Sequence, residues 1–219
     1  MSLTRRAFLH SSLLVTGGLL LGCTSNYPRI LSSPKEAANE LGLWLRISTD
    51  NRIGFVVPSV EMGQGVTTSM PTILAEELDV EPEQIDIVLA SVHKAYRQQG
   101  MFTQGTGGST SIVKWWGPLS KTGAAARSML VQAAANRWQV PPNECQTQAG
   151  QVLHVDSGRK LSYGELAEAA SKLEVPEDPP RKDPSKYRLV GQPLKRLDGL
   201  AKVTGQAQFG IDVKVPRML

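Results

Sequence analysis

Arg52-Ile53-Gly54-Phe55-Val56-Val57-Pro58-Ser59-Val60-Glu61-Met62-Gly63-Gln64-Gly65-Val66-Thr67-Thr68 passes from a strand-like run, through a glycine-rich bend, into a helix-like run. Residues 52–57 carry β-branched and aromatic side chains and predict a strand. Glu61-Met62-Gly63-Gln64-Gly65 breaks that pattern. Val66 to Leu78 then predicts a helix with Ile73, Leu74 and Leu78 on one face, and Pro71 lies early enough to be tolerated. Glycines let a backbone approach a ligand closely, and the amides of a following helix N-terminus suit a phosphate or another anion. The Gln64 side-chain amide can donate and accept at once. A tight turn accounts for the same spacing, so the bend alone does not decide between turn and site.

Working outward, Leu43 to Ser48 alternates with period two, and Asp50-Asn51 is a turn pair, so a hairpin with 52–57 is expected. Gln84 to Ala90 predicts another strand. Ser91 to Ser111 reads as a long loop with Gly100, Gly105, Gly107 and Gly108; loops of this length are commonly functional. Within it, Thr106-Gly107-Gly108-Ser109-Thr110-Ser111 gathers hydroxyls and free amides before a helical stretch, a composition that can form an anion nest. It matches neither a Walker A loop nor the Gly-x-Gly-x-x-Gly fingerprint. An Ala-rich helix is expected over about 120–138, a strand over 151–155, and a helix to about Leu173 opened by the capping box Ser162-Tyr163-Gly164-Glu165. Residues 175–187 hold four prolines and many charges and read as a linker; Gln206 to Val213 looks strand-like.

The 219 residues, 23.7 kDa, are 41% hydrophobic and 20% charged, which excludes a disordered or collagen-like chain. The net charge of +4 includes Arg5 and Arg6, and no basic stripe marks a nucleic-acid binder. Two cysteines exclude a disulfide scaffold, and no structural disulfide is expected. His10, His93 and His154 are far apart in sequence, so a His-based metal site made by this chain alone is not expected. Glu76-Glu77 reads as a solvated helix face, Trp115-Trp116 as core or interface, and His93 as a loop histidine. No local motif nominates a catalytic residue.

Residues 1–22 read as an export signal: Arg5-Arg6 followed by Phe8-Leu9 resembles the twin-arginine type, and the apolar run 11–21 is too short to span a bilayer. Leu20-Leu21-Gly22-Cys23 looks like a lipobox, with Cys23 the candidate for lipidation; a cysteine that merely lies near the cleavage site is the equal alternative. Residues 23–40 read as a linker. The expected location is periplasmic, with a lipid anchor through Cys23 under the first reading.

Glu61-Met62-Gly63-Gln64-Gly65-Val66-Thr67-Thr68, Ala75-Glu76-Glu77-Leu78 and the loop 106–111 together resemble the molybdopterin-binding domain of the xanthine oxidase family. Trp44-Leu45-Arg46-Ile47, Gly123 to Leu130 and the exported N-terminus resemble the branch of isoquinoline 1-oxidoreductase beta subunits and membrane-associated aldehyde dehydrogenases. Leu189 to Asp198 with Lys202-Val203-Thr204-Gly205 resembles the opening of that family's a/b hammerhead domain. The resemblance implies an α+β fold: a partial molybdopterin-binding domain over 41–174, a linker over 175–187, and a truncated start of the hammerhead domain over 188–219.

It further implies hydroxylation of N-heterocycles or oxidation of aldehydes with oxygen from water. By match to the family's cofactor loops, Gly63, Gln64, Gly65, Gly107, Gly108, Ser109 and Thr110 would contact molybdopterin, the cytosine dinucleotide form being one option. Iron–sulfur clusters would lie in a small [2Fe-2S] partner subunit. The remaining large-subunit domains, and a cytochrome as one candidate electron acceptor, complete the implied partners. The catalytic glutamate of such enzymes lies in a region without a counterpart here, which implies that this chain alone is inactive. A non-catalytic envelope lipoprotein or binding module is the alternative.

Overall fold

The computed structural model describes residues 18–21, 44–98 and 100–218. Its first sheet has the order β1 (Gly18–Leu21), β2 (Leu45–Ser48), β3 (Ile53–Val57) and β4 (Ile85–Leu89). β2 and β3 form the expected hairpin, with Leu45 opposite Phe55 and Ile47 opposite Ile53. The turn holds Asn51 at φ 64, a conformation that Asn tolerates better than most residues. Buried and half-buried residues alternate along both strands. β1 pairs antiparallel with β2 and occupies part of the apolar run read as an export signal. The remainder of that signal, Cys23 and the linker 23–40 lie outside the described residues.

β3 and β4 pair in parallel, from Ile53 opposite Ile85 to Val57 opposite Leu89. A parallel pair needs a crossover, and helix α1 (Val66–Leu78) supplies it with the bounds read from the sequence. Helix α2 (Thr110–Trp138) packs along α1. A second sheet follows, β5 (Cys145–Gln148), β6 (Gln151–His154) and β7 (Lys160–Ser162), all antiparallel. Helix α3 (Tyr163–Ser171) starts on the expected capping box: the Glu165 amide donates to Ser162 Oγ at 3.2 Å and the Ser162 amide donates to Glu165 Oε2 at 2.8 Å. The short helix α4 spans Gly199–Val203. The fold is α+β.

One core joins these layers. Trp44, Phe55, Met70, Leu74, Leu130 and Leu166 are all buried within it. Buried Tyr163 reaches across to α1 and donates its hydroxyl to the Leu78 carbonyl at 2.5 Å. Trp115 is buried against Trp44, with ring centroids 4.3 Å apart, while Trp116 is half-buried, so this pair is core as expected. Cys145 is a buried free thiol. Among the described residues, no helix is long and apolar enough to cross a membrane.

Three local readings need correction. α2 begins at Thr110, ten residues before the expected start, and runs unbroken through Gly117-Pro118. Proline removes one helical hydrogen bond, whose acceptor would be the carbonyl of Lys114, an exposed residue that water can reach. The strands β5 and β7 have little apolar alternation, and sheet pairing rather than local pattern makes them strands. Residues 206–213 form no strand; a 3₁₀ turn occupies Gly210–Asp212, and Phe209, Ile211 and Val213 are exposed because no described strand lies beside them.

The α1–α2 contact depends on a missing side chain. A Cβ on Gly123 would lie 2.7 Å from Glu77 Cβ, whereas one on Gly117, in the same helix, would meet nothing within 4 Å. Gly123→Ala is therefore expected to lower unfolding free energy by about 1–3 kcal/mol, as overpacking does. Gly117→Ala should be neutral or stabilising by up to ~1 kcal/mol through helix propensity. Urea denaturation of the two variants checks this, and equal effects would contradict the assigned contact.

Candidate functional site

Because β3 and β4 run parallel, the segments that follow them leave the sheet at the same edge. The Ala90 amide donates to the Val57 carbonyl at 2.9 Å, extending the pairing to that edge. Beyond it, the Val60 amide donates to Thr106 Oγ1 at 2.9 Å. The two glycine loops are thus tied together at their bases. Ligands of open α/β sheets gather at such carboxyl ends of parallel strands.

The loops are built differently. In the first, the Glu61 carboxylate fills the amide nest. Its Oε1 accepts from the amides of Gly63 (2.8 Å) and Gly65 (3.0 Å), and its Oε2 from the amide (3.0 Å) and hydroxyl (2.8 Å) of Thr67. Gly63 and Gly65 have φ of 105 and 85, which favours glycine at both positions. Burial works against the Glu61 charge, but the Thr67, Gly65 and Gly63 donors outweigh it and pull its pKa down to about 2. Gln64 donates and accepts at once, as its chemistry allows, but within its own loop. Its Nε2 donates to the Val60 carbonyl at 2.7 Å and its Oε1 accepts from the Met62 amide at 2.7 Å. Arg196 covers the loop from outside, donating to the Gly63 carbonyl at 2.7 Å and to Glu61 Oε1 at 3.2 Å.

The second loop is pinned from within and open at its tip. Buried Gln98 accepts from the Thr110 hydroxyl at 2.9 Å and donates to the Gly105 carbonyl at 3.5 Å. His93 is a loop histidine whose amide donates to Gln104 Oε1 at 2.8 Å. The Thr110 amide donates to the Gly107 carbonyl at 3.2 Å. Gly108 and Ser109 both have positive φ, 59 and 54. Gly107, Gly108 and Ser109 are exposed, and among the described residues nothing accepts from their amides. The first turn of α2 carries no acidic residue, and Ser109 makes no side-chain cap. Among the described residues nothing compensates the positive partial charge at this helix end, whereas at α1 the chain's own carboxylate answers it. Beside the first loop, the Ser59 hydroxyl is buried with no hydrogen-bond partner among the described residues.

Glu76 and Glu77 overturn the expectation of a solvated face: their exposures are 2% and 1%. Glu76 accepts from three successive backbone amides, Arg188 at 3.0 Å, Leu189 at 2.7 Å and Val190 at 2.9 Å. Burial opposes its charge, yet these donors and Lys182 hold its pKa below the usual carboxylate value. Glu77 pairs with Arg127 at 3.2 Å and accepts from the Lys182 amide, but burial dominates and raises its pKa. Arg127 also donates to the Pro180 carbonyl at 2.6 Å. The proline-rich segment is thereby fastened along α1 and α2, and the Leu197 amide, bonded to Thr68 Oγ1 at 3.0 Å, brings Arg196 onto the first loop. Sequence reasoning missed Glu61, Glu76 and Arg196; a carboxylate two residues before the first glycine was the available signal for Glu61.

The Glu61 contacts predict a pH-dependent contribution to stability. A carboxylate whose folded pKa is depressed from 4.5 to about 2 stabilises the fold above its unfolded value and loses that effect as pH falls. Glu61→Gln is expected to cost about 3 kcal/mol at neutral pH. The gap to the parent chain should narrow between pH 4.5 and about 2. Urea titrations across that range check this, and a pH-independent gap would contradict it.

Residues 21–208 match the model of the molybdopterin cofactor-binding domain. The beta subunit of the isoquinoline 1-oxidoreductase of Brevundimonas diminuta is 34% identical over 99% of this chain and 32% of its own length. The membrane-bound aldehyde dehydrogenase [pyrroloquinoline-quinone] of Gluconacetobacter polyoxogenes is 31% identical over 100% of this chain and 29% of its own. A nicotinate dehydrogenase subunit of Pseudomonas putida is 32% identical over 85% and 15%, respectively. The chain spans about a third or less of the curated relatives it matches. A solved structure, quinoline 2-oxidoreductase from Pseudomonas putida 86, aligns over 57% of this chain and 15% of its own at 17% identity, with a TM-score of 0.44. By its matched domain and its relatives, this chain belongs to the molybdopterin cofactor-binding domain family.

Proposed function

We propose that this chain is the cofactor-cradling part of an exported molybdenum-dependent oxidoreductase that hydroxylates N-heterocycles or oxidises aldehydes. The observation that carries the reading is the pair of tied loops, one of which leaves the amides of Gly107, Gly108 and Ser109 without an acceptor among the described residues. The fit to an anionic pterin is partial and specific. The second loop offers free amides and the Ser109 hydroxyl at an uncapped helix end, which suits phosphate oxygens. The first loop offers no amide from Gly63 or Gly65, because Glu61 holds both. Gln64 and its neighbours contribute a fixed wall there instead. Thr110 acts through Gln98, setting the loop's shape.

When bound, the molybdenum centre supplies the redox chemistry, and the protein supplies orientation and electrostatics. None of the described residues is assigned an acid or base role. Exposed Val60, Met62, Val92, Met101, Phe102 and Val113 lie on or beside the two loops and give the remaining large-subunit domains an apolar face to cover. A small [2Fe-2S] subunit takes the electrons, and the twin-arginine signal delivers the assembled complex to the periplasm, held by lipid if Cys23 is modified.

Cofactor content of the complex purified from its source tests the reading. Ser109→Asp places a carboxylate at the free amides, and bound molybdenum and pterin fluorescence should fall about tenfold, ~1.4 kcal/mol in affinity. The melting temperature of the cofactor-free protein should stay within the parent range, because Ser109 is exposed. Complex that holds neither molybdenum nor pterin would favour the binding-module alternative. Unchanged content in Ser109→Asp would remove the second loop from the site.

A further inference from the structure

Far from the glycine loops in sequence, the second sheet brings together Glu144, His154 and Asp156, and one ligand atom from each lies within 4.8 Å of the other two. We propose that these three side chains bind a divalent transition-metal ion of the zinc class, a site independent of the molybdopterin reading.

The sheet register builds this cluster. β5 and β6 pair antiparallel with Cys145 opposite His154, which sets Glu144, just before β5, beside the end of β6. The Val155 amide donates to the Glu144 carbonyl at 3.1 Å and holds the two segments together. The imidazole is 5% exposed and oriented on both sides. Its Nδ1 is 2.7 Å from Ser157 Oγ, which also accepts from Arg159 Nε at 2.7 Å. Its Nε2 is 3.0 Å from Glu144 Oε2. Trp138 flanks the ring at a centroid distance of 6.1 Å, and the Arg159 guanidinium lies 5.5 Å from the centre of the Trp138 ring.

Two features single this cluster out from an ordinary acidic surface. The ring nitrogen facing Glu144 is fixed in direction by a second partner on the opposite nitrogen, the arrangement that orients metal-ligating histidines. Asp156, exposed and next to a second carboxylate, has no hydrogen-bond or ion-pair partner among the described residues. The two carboxylates outnumber the one cation beside the ring, Arg159, whose Nη2 lies 3.5 Å from His154 Nδ1, and a divalent ion answers the excess negative charge. Ligand atoms around a tetrahedral zinc stand about 3.3 Å apart at bond lengths of about 2.0–2.2 Å. The existing 3.0 Å pair is already at that spacing, and a rotation of the exposed Asp156 carboxylate closes the third side. In the metal-free chain Nε2–H donates to Glu144 Oε2; binding moves the ring proton to Nδ1, where Ser157 Oγ accepts it, and frees the Nε2 lone pair for the ion, with water completing the coordination.

Isothermal titration of the full 219-residue chain with Zn²⁺ tests the proposal. One ion per chain is expected, with a rise in melting temperature that chelation reverses. Asp156→Asn is exposed and keeps the fold, and it should weaken this binding about tenfold or more; Ser157→Ala should weaken it about 10–100-fold by releasing the imidazole. Glu144→Gln should act as Asp156→Asn does. Absence of Zn²⁺ binding overturns the proposal, and so does binding that Asp156→Asn and Glu144→Gln leave unchanged, because the ion then sits elsewhere.

Discussion

The parallel pairing of β3 with β4 constrains everything built on it. Parallel neighbours cannot be joined by a tight turn, so the chain must leave the sheet, cross over as α1, and return. That requirement sends both following loops off the same edge. The bond from the Val60 amide to Thr106 Oγ1 is a consequence of this topology, as residues 46 apart in sequence meet only where the strands end together. The same crossover helix turns Glu76 and Glu77 inward, where their carboxylates collect the backbone of the proline-rich segment. A buried carboxylate is stable only when its charge is answered, and here three successive amides and Lys182 answer it. One helix therefore spaces the loops on one side and fastens the later chain on the other.

The two glycine loops show how similar composition can serve different ends. Both precede a helix, and both contain glycines in the left-handed region. The first satisfies its amides with Glu61 and is sealed by Arg196, which makes it a rigid structural corner. The second spends its side chains on internal pins and leaves its tip amides to solvent. At the first helix end Glu61, itself paired with Arg196, already occupies the amides, whereas the second end keeps positive partial charge that no described residue compensates. Under the proposed function, direct anion contact falls to Gly107, Gly108 and Ser109 and a framing role to Gly63, Gln64 and Gly65.

Much of this was legible where local chemistry determines structure. The bounds of α1, the β2–β3 hairpin and the Ser162–Glu165 capping box all follow from spacing within a few residues. The family was legible too, from the order of the two loops. What escaped depended on distant partners. Glu76 and Glu77 look solvated until residues 182–190 arrive to bury them. The Ala-rich run marks α2 only from about residue 120, and its first ten residues, across Gly117-Pro118, become helix where α2 packs along α1. Phe209, Ile211 and Val213 alternate like a strand but find no described neighbour to pair with. His154 looks isolated in the sequence because it lies far from the other histidines, whereas its neighbours Glu144 and Asp156 are carboxylates brought in by cross-strand register and by the turn after β6.

The most direct test of the account is a density map of the assembled, cofactor-loaded complex at a resolution that shows hydrogen-bond geometry. The account predicts cofactor phosphate oxygens at about 2.7–3.2 Å from the amides of Gly107, Gly108 or Ser109, with Glu61 still bonded to Gly63 and Gly65. A cofactor seated elsewhere, with those three amides facing solvent, would contradict it.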